Sequence, residues 1–334
     1  MDRDFLPTAT LDMLRRRAEL LRQVRQFFDS RGFMEVETPV LSHDVVVDRH
    51  LFPLSVTLFR DARQPERGQQ LWLQTSPEFA MKRLLAAYGV GRGSPDPALA
   101  IYQITRAFRG GEAGGMHNPE FTIVEWYRVG DDYAAGMSLL EDLARETLQL
   151  GTPERVTYRE AFLRYAQVDP YSATFEQLYA VAGMTSTPYL TLPSRDRDGL
   201  LNVILACLVE EHLGCGRPTI LYDYPATQSA LAQVRPGHPP VAERFELYVH
   251  GIELANGYHE LLDPAVLRER NRNSNAAREA DGHYTLPEES RLLAAMDHGL
   301  PACSGCALGF DRLVMVATGA KSIQEVMAFP MERA

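Results

Sequence analysis

The sequence predicts one α+β domain in which helices flank an antiparallel β-sheet, and three observations carry that prediction. Two stretches alternate apolar and polar residues and fold back on themselves, at 101–128 and 244–256. Between them, from Met137 to about Leu213, the periodicity is mainly helical. Short β-like runs return from Thr219 onward and end in a helix near Asp311. Hairpins grouped this way, separated by helices, do not read as alternating βαβ units.

Taken in order, Leu11, Leu14, Ala18, Leu21, Val24 and Phe28 recur at helical spacing, and Gly32 then supplies a stop, so 11–30 reads as an amphipathic helix. Its many arginines are expected on a solvated or interface face. Phe33–Val36 reads as extended and is closed by Thr38-Pro39, because a proline forces the residue before it out of helix. The polar, turn-rich segments 60–68 and 89–97 read as surface loops rather than linkers, so the whole chain, 1–334, is expected to be a single domain.

Composition narrows the function. A formal net charge of −10 removes the long-range attraction expected of a bulk nucleic-acid binder. Four cysteines, Cys207, Cys215, Cys303 and Cys306, are too few for a disulfide scaffold and fit a reducing cytoplasm. Neither a leader nor a membrane-spanning run is seen, the apolar stretch Leu200–Val209 being too short.

The second hairpin is the more informative. With a two-residue turn at His250-Gly251, Val249 would face Ile252 and Leu247 would face Leu254, leaving Glu246 and Glu253 as diagonal neighbours on the other face. Their backbones would then lie roughly 7–8 Å apart. Two carboxylates at that spacing suit Mg²⁺, which prefers hard oxygens and keeps phosphates and waters as its other ligands. A solvated face carrying two glutamates is the ordinary alternative. The continuation Asn256-Gly257-Tyr258-His259-Glu260 adds an amide, a phenol and a third carboxylate, provided that a bulge, expected at Gly257, turns Asn256 toward the glutamates.

In the first hairpin, Arg109 ends the outgoing strand, a glycine-rich loop carries His117, and the return strand puts Phe121, Glu125 and Tyr127 on one face. An arginine fork beside glycine backbone and a histidine suits phosphate oxygens. A surface ion pair, a loop histidine and a core phenylalanine are the ordinary readings of the same residues. Ser304–Met315 reads as a small-residue strand feeding a helix, with Arg312 in the first turn, where the helix dipole disfavours a cation unless an anion binds there. Cys303 and Cys306 have CxxC spacing, but no second ligand pair accompanies them.

These segments together resemble the motifs of class II aminoacyl-tRNA synthetases. Gly32-Phe-Met-Glu-Val-Glu-Thr-Pro39 resembles motif 1, Phe108-Arg109 through His117-Asn-Pro-Glu-Phe121 motif 2, and Gly309-Phe-Asp-Arg312 motif 3. The flavour is lysyl, through Leu73-Gln-Thr-Ser-Pro-Glu78 and Glu253-Leu-Ala-Asn-Gly-Tyr-His-Glu260. The likeness runs from about Leu11 to Pro330, without the N-terminal anticodon-binding barrel of lysyl-tRNA synthetases. It is strongest to the stand-alone lysyl-type paralogues that attach (R)-β-lysine to a lysine of elongation factor P.

The resemblance implies a homodimeric class II catalytic domain that uses ATP and Mg²⁺ and needs no stable tRNA binding. Arg109 and Arg312 would be catalytic, with Arg109 on the α-phosphate and substrate carboxylate. His117 and Arg312 would hold the outer phosphates, Phe121 would stack on adenine, and Glu246 and Glu253 would bind magnesium. Glu78 would take the backbone-side amine, and Glu125, Tyr127, Asn256, Tyr258 and Glu260 the distal end. Two departures stand out. The acidic position of motif 2 is Gly111, with Glu112 one place later, and Ala307 stands where lysyl-tRNA synthetases usually carry glycine and the ligases carry alanine, at the pocket floor. The resemblance leaves two rivals, a truncated lysyl-tRNA synthetase charging tRNA and a catalytically silent regulatory paralogue.

Overall fold

The computed structural model describes residues 5–89, 99–185 and 196–334. The loop expected at 89–97 therefore lies, past Gly89, outside the described residues. The chain divides into two compact units, 1–131 with 261–334, and 132–260.

The first unit opens with α1 (Leu11–Asp29), capped by the Thr10 hydroxyl, which accepts from the Met13 N–H, and followed by Gly32 at φ +76°. Leu20, Val24, Phe27 and Phe28 form its buried stripe. Phe28 stacks on Tyr102 at 4.7 Å between ring centroids. The arginines divide: Arg15 and Arg16 are solvent-facing, as expected, but Arg17 lies one turn before Leu20 on the buried stripe and pairs with Asp311 at 2.6 Å. That corrects the expectation of a uniformly solvated or interface arginine face.

β1 (Met34–Glu35) pairs in parallel with β5 (Ala100–Phe108), which runs antiparallel to β6 (Glu120–Val129), itself antiparallel to β12 (Cys303–Gly309). A small sheet joins β2 (Leu41–Ser42), β4 (Gly68–Leu73) and β3 (Ser55–Phe59). The helices are α2 (Glu78–Tyr88), α7 (Pro264–Ala280), α8 (Arg291–Asp297) and α9 (Phe310–Thr318), the last fed directly by β12. Cys303 and Cys306 are both buried in β12, where residues three apart project to opposite faces, so the pair cannot chelate one ion.

The second unit carries β7 (Glu154–Thr157), β8 (Thr219–Pro225), β9 (Val234–Arg235), β10 (Val241–Val249) and β11 (Ile252–His259). Their order is β11-β10-β8-β7, with β9 also on β10. Its helices are α3 (Tyr133–Leu148), α4 (Tyr158–Ala161), α5 (Phe175–Ala182) and α6 (Arg197–Ile204). Leu200, Leu201, Ile204, Leu205 and Val209, from the longest apolar run, are core. β7 falls in the stretch expected to be helical, and its four residues are too few to leave a strand signature. The fold is α+β, but β7 pairs in parallel with β8 as β1 does with β5, so each unit's sheet is mixed rather than wholly antiparallel.

The hairpin of β10 and β11 turns at His250-Gly251, both left-handed at φ +53° and +74°, and Val249 faces Ile252 as expected. The register then shifts: Tyr248 pairs with Glu253 and Leu247 with Ala255, so Leu254 is the bulged residue instead of facing Leu247. Gly257 pairs regularly with Phe245, which moves the required bulge from Gly257 to Leu254. With one residue absorbed there, Asn256 stands opposite Glu246 and Tyr258 opposite Arg244. Arg244, Glu246 and Tyr248 thus share one face with Glu253, Asn256 and Tyr258.

Candidate active site

In the first unit the cationic residues gather at the loop between β5 and β6. Arg109 is fixed by its own N–H, which donates to Pro119 O at 2.9 Å, and its Nε donates to Thr75 O at 3.3 Å. Its guanidinium carbon lies 5.0 Å from the centre of the Phe121 ring and its Nη1 3.7 Å from Glu112. Gly111 has φ +78°, a conformation that disfavours any residue with a Cβ. The loop is tied down by Asn118, which donates to Glu120 O at 2.6 Å and accepts from Met331 N–H at 3.0 Å, and by Ile323 N–H to Gly115 O at 2.8 Å.

Arg312 approaches the same loop from the first turn of α9, with Nε 3.4 Å from Met116 O and Nη2 2.6 Å from His117 Nε2. A guanidinium cannot accept, so His117 Nε2 accepts and the ring is neutral in this contact. Burial, reinforced by Arg312 and Arg109 and opposed by Glu112, holds the His117 pKa below the usual histidine range. A ring kept neutral between two arginines is a place for an anion. Beside Arg312, the buried Asp311 carboxylate accepts from Thr122 N–H at 2.7 Å and pairs with Arg17, locking α9 to β6 and α1.

Two of the carboxylates expected to read an amine, Glu78 and Glu125, lie in the same unit. Glu78, at the start of α2, meets Lys82 Nζ at 2.5 Å in a buried i,i+4 pair. Lys82 also sits 5.8 Å from the Tyr127 ring centre, and Tyr127 donates its hydroxyl to the buried Glu125 at 2.6 Å. Ala307 is the cross-strand neighbour of Glu125, so its methyl stands on the Glu125 face of the sheet. Phe121 and Glu125 are four residues apart on β6, about 13 Å, and point the same way. Lys82 was missed in the sequence, although its spacing from Glu78 was the signal that could have found it.

In the second unit Glu246 is buried and held from three sides. Tyr224 and Arg244 donate short hydrogen bonds to it, and Tyr248 donates at 2.7 Å. Burial, then the charge of Glu246, pushes both tyrosine hydroxyls far above their ordinary pKa, so they stay protonated donors. A carboxylate has about four lone-pair directions, and three fixed donors orient Glu246 while leaving one for a cation. Among the described residues no group of three or more His, Cys, Asp or Glu could make an all-protein metal site. The pair Glu246 and Glu253 fits magnesium carried in on phosphate oxygens rather than caged by protein. On the same face the buried Asn256 Oδ1 has no hydrogen-bond partner among the described residues, an acceptor that a ligand donor would satisfy. Glu260 is buried just past the end of β11, bridged to Ala232.

The sequence matches the family described as tRNA synthetases class II (D, K and N) over residues 4–333. Among its relatives is the elongation factor P–(R)-β-lysine ligase of Vibrio cholerae serotype O1, 45% identical over 331 residues, 99% of each chain. Proteins of the same name from Vibrio vulnificus and Klebsiella pneumoniae are each 44% identical, over 330 and 328 residues, covering 99% and 98% of both chains.

Proposed function

The chain belongs to the class II tRNA synthetase family of the D, K and N type, and on that premise we propose that it activates (R)-β-lysine with ATP and transfers the β-lysyl group to a lysine ε-amine of elongation factor P. In the first step a substrate carboxylate oxygen bonds to the α-phosphorus and pyrophosphate leaves. In the second the ε-amine bonds to the acyl carbon, AMP leaves, and an amide is formed. The observation that carries this reading is that one face of β6 presents Phe121, beneath Arg109, and then Glu125, paired to Tyr127. That spacing supports a nucleotide end and an amine end along a single strand.

Arg109 is assigned to the α-phosphate and substrate carboxylate, His117 and Arg312 to the outer phosphates, and Phe121 to the adenine ring. No general base is needed for the first step, which rests on positioning and on charge stabilisation. Glu78, Glu125, Asn256 and Glu260 are assigned to the two ammonium groups, with Tyr127 and Tyr258 orienting the carboxyl and amide groups. Bound at Glu246 and Glu253, Mg²⁺ would offset phosphate charge. That relatives matched end to end carry the ligase name favours protein modification over tRNA charging or a silent paralogue.

The chain is read as one catalytic domain acting as a cytoplasmic homodimer, and a monomer mass in sedimentation would overturn the dimer. No helix among the described residues is long and apolar enough to cross a membrane.

Two experiments test the assignments. Glu246→Gln and Glu253→Gln should each raise the magnesium concentration required for pyrophosphate exchange, because an amide is a poorer ligand for a hard cation. An unchanged titration would return both residues to structural roles. Ala307→Gly should relax the choice of isomer toward α-lysine, since both isomers carry the same charges and only shape separates them. One methyl group is worth roughly 10- to 200-fold in kcat/KM. An isomer ratio equal in wild type and variant would acquit Ala307 of discrimination.

A further inference from the structure

We propose that Arg278, near the end of α7, is a positioning residue for the nucleotide-binding loop, acting on Arg109 and Gly110 through Phe52. Arg278 is wholly buried. Its Nη1 donates to Asp48 O and Leu51 O, both at 2.8 Å, and its Nε donates to Tyr284 O at 2.9 Å. The guanidinium carbon lies 5.3 Å from the Phe52 ring centre and 5.0 Å from that of Tyr284. Nη2 has no hydrogen-bond partner among the described residues.

A cation held by backbone carbonyls and ring faces is an unfavourable way to fill a core, because burying charge carries a desolvation penalty that an apolar side chain of similar volume avoids. What arginine supplies and an apolar residue cannot is a fork whose Nη1 holds two carbonyls of one segment while its Nε holds Tyr284 O. The clamped segment, 48–51, leads straight into Phe52, whose carbonyl accepts from the Gly110 N–H at 2.7 Å. Gly110 follows Arg109, and a Cβ on it would stand 3.0 Å from Phe52 O and 3.2 Å from Leu54 Cδ2, so the two segments meet too closely to take a side chain there without a neighbour shifting. Phe52 is braced on its other side by the His283 ring at 5.0 Å, and Tyr284 donates to Pro53 O at 3.3 Å. Displacing Phe52 therefore moves the backbone from which the Arg109 guanidinium is aimed.

The inference rests on the assignment of Arg109 to ATP, and the test separates the two. Pyrophosphate exchange is measured with Arg278→Met, Arg278→Lys and Phe52→Ala, alongside Arg109→Ala, with the KM for ATP and for the amino acid determined separately. Arg278→Met and Phe52→Ala should each raise the ATP KM by about 10- to 100-fold, since small misplacements of a positioned group have effects of that order, and the amino-acid KM with it, because Arg109 is assigned to the substrate carboxylate as well. Arg278→Lys, which keeps the charge but not the fork, should fall between. The double variant Arg278→Met/Phe52→Ala should be no worse than the more severe single one, because both break the same link. Unchanged KM values in folded Arg278→Met, or a rise in the amino-acid KM with an ordinary ATP KM, would overturn the proposal. Should Arg278→Met not fold, Phe52→Ala decides, and an ordinary ATP KM there overturns it. If Arg109→Ala left ATP use intact, the nucleotide assignment itself would fail instead.

Discussion

Arg109→Ala or Arg312→Ala is expected to leave a folded protein that forms adenylate about 10²-fold more slowly or worse, the usual consequence of removing a donor that stabilises developing charge. Both side chains have modest structural commitments. Arg109 gives a long hydrogen bond of 3.3 Å to Thr75 O and a 3.7 Å ion pair to Glu112 with both partners partly exposed, an arrangement worth little to stability. Arg312 reaches Met116 O at 3.4 Å and His117 at 2.6 Å. The two cations lie close enough to His117 that both help to hold it neutral, so either loss removes charge from one locus. ATP–pyrophosphate exchange with melting temperature as the control measures the effect, and near wild-type exchange in either variant would remove the phosphate assignments.

Asp311→Ala is expected to act on the fold instead. The carboxylate is buried, pairs with Arg17 at 2.6 Å and accepts the Thr122 N–H at 2.7 Å, so its removal leaves that backbone donor without its acceptor and takes the counter-charge from a guanidinium of low exposure. That guanidinium then keeps only neutral acceptors, Thr122 Oγ1 at 2.9 Å and Val326 O at 3.4 Å, among the described residues. Breaking a buried pair from one side costs about 3–5 kcal/mol, and at about 2–4 °C per kcal/mol the melting temperature should fall by roughly 10 °C. Arg17→Met paired with Asp311→Leu should recover part of that loss, because neither charge is then left alone. A drop of only a degree or two in Asp311→Ala would show that the pair is solvated and that α9 is held by other contacts.

What could be read from the sequence was what local spacing determines. The turn at His250-Gly251, the loop between β5 and β6, and the β12-to-α9 junction each follow from period and from glycine placement within a few residues. What escaped depends on partners far along the chain. Arg17 looks like one more surface arginine until Asp311, 294 positions later, is brought against it. The donors that fix Glu246 include Tyr224, 22 residues away on a different strand. The bulge was anticipated from the need to turn Asn256 toward the glutamates, but Gly257 lies past Asn256 and could not turn it, and the pairing of Tyr248 with Glu253 and Leu247 with Ala255 puts the extra residue at Leu254 instead. Lys82 is the exception, since its i,i+4 spacing from Glu78 is local and legible in the sequence. The left-handed φ of Gly111, a conformation that suits glycine at that position, shows only in the fold.

The most direct test of the central claim is mass spectrometry of elongation factor P after incubation with this protein, ATP, magnesium and either (R)-β-lysine or α-lysine. One lysine of the factor should gain the mass of a single lysyl residue, in an ATP-dependent manner and far faster with (R)-β-lysine. Acylation of a lysine tRNA by the same protein, with elongation factor P unmodified under both conditions, would contradict it.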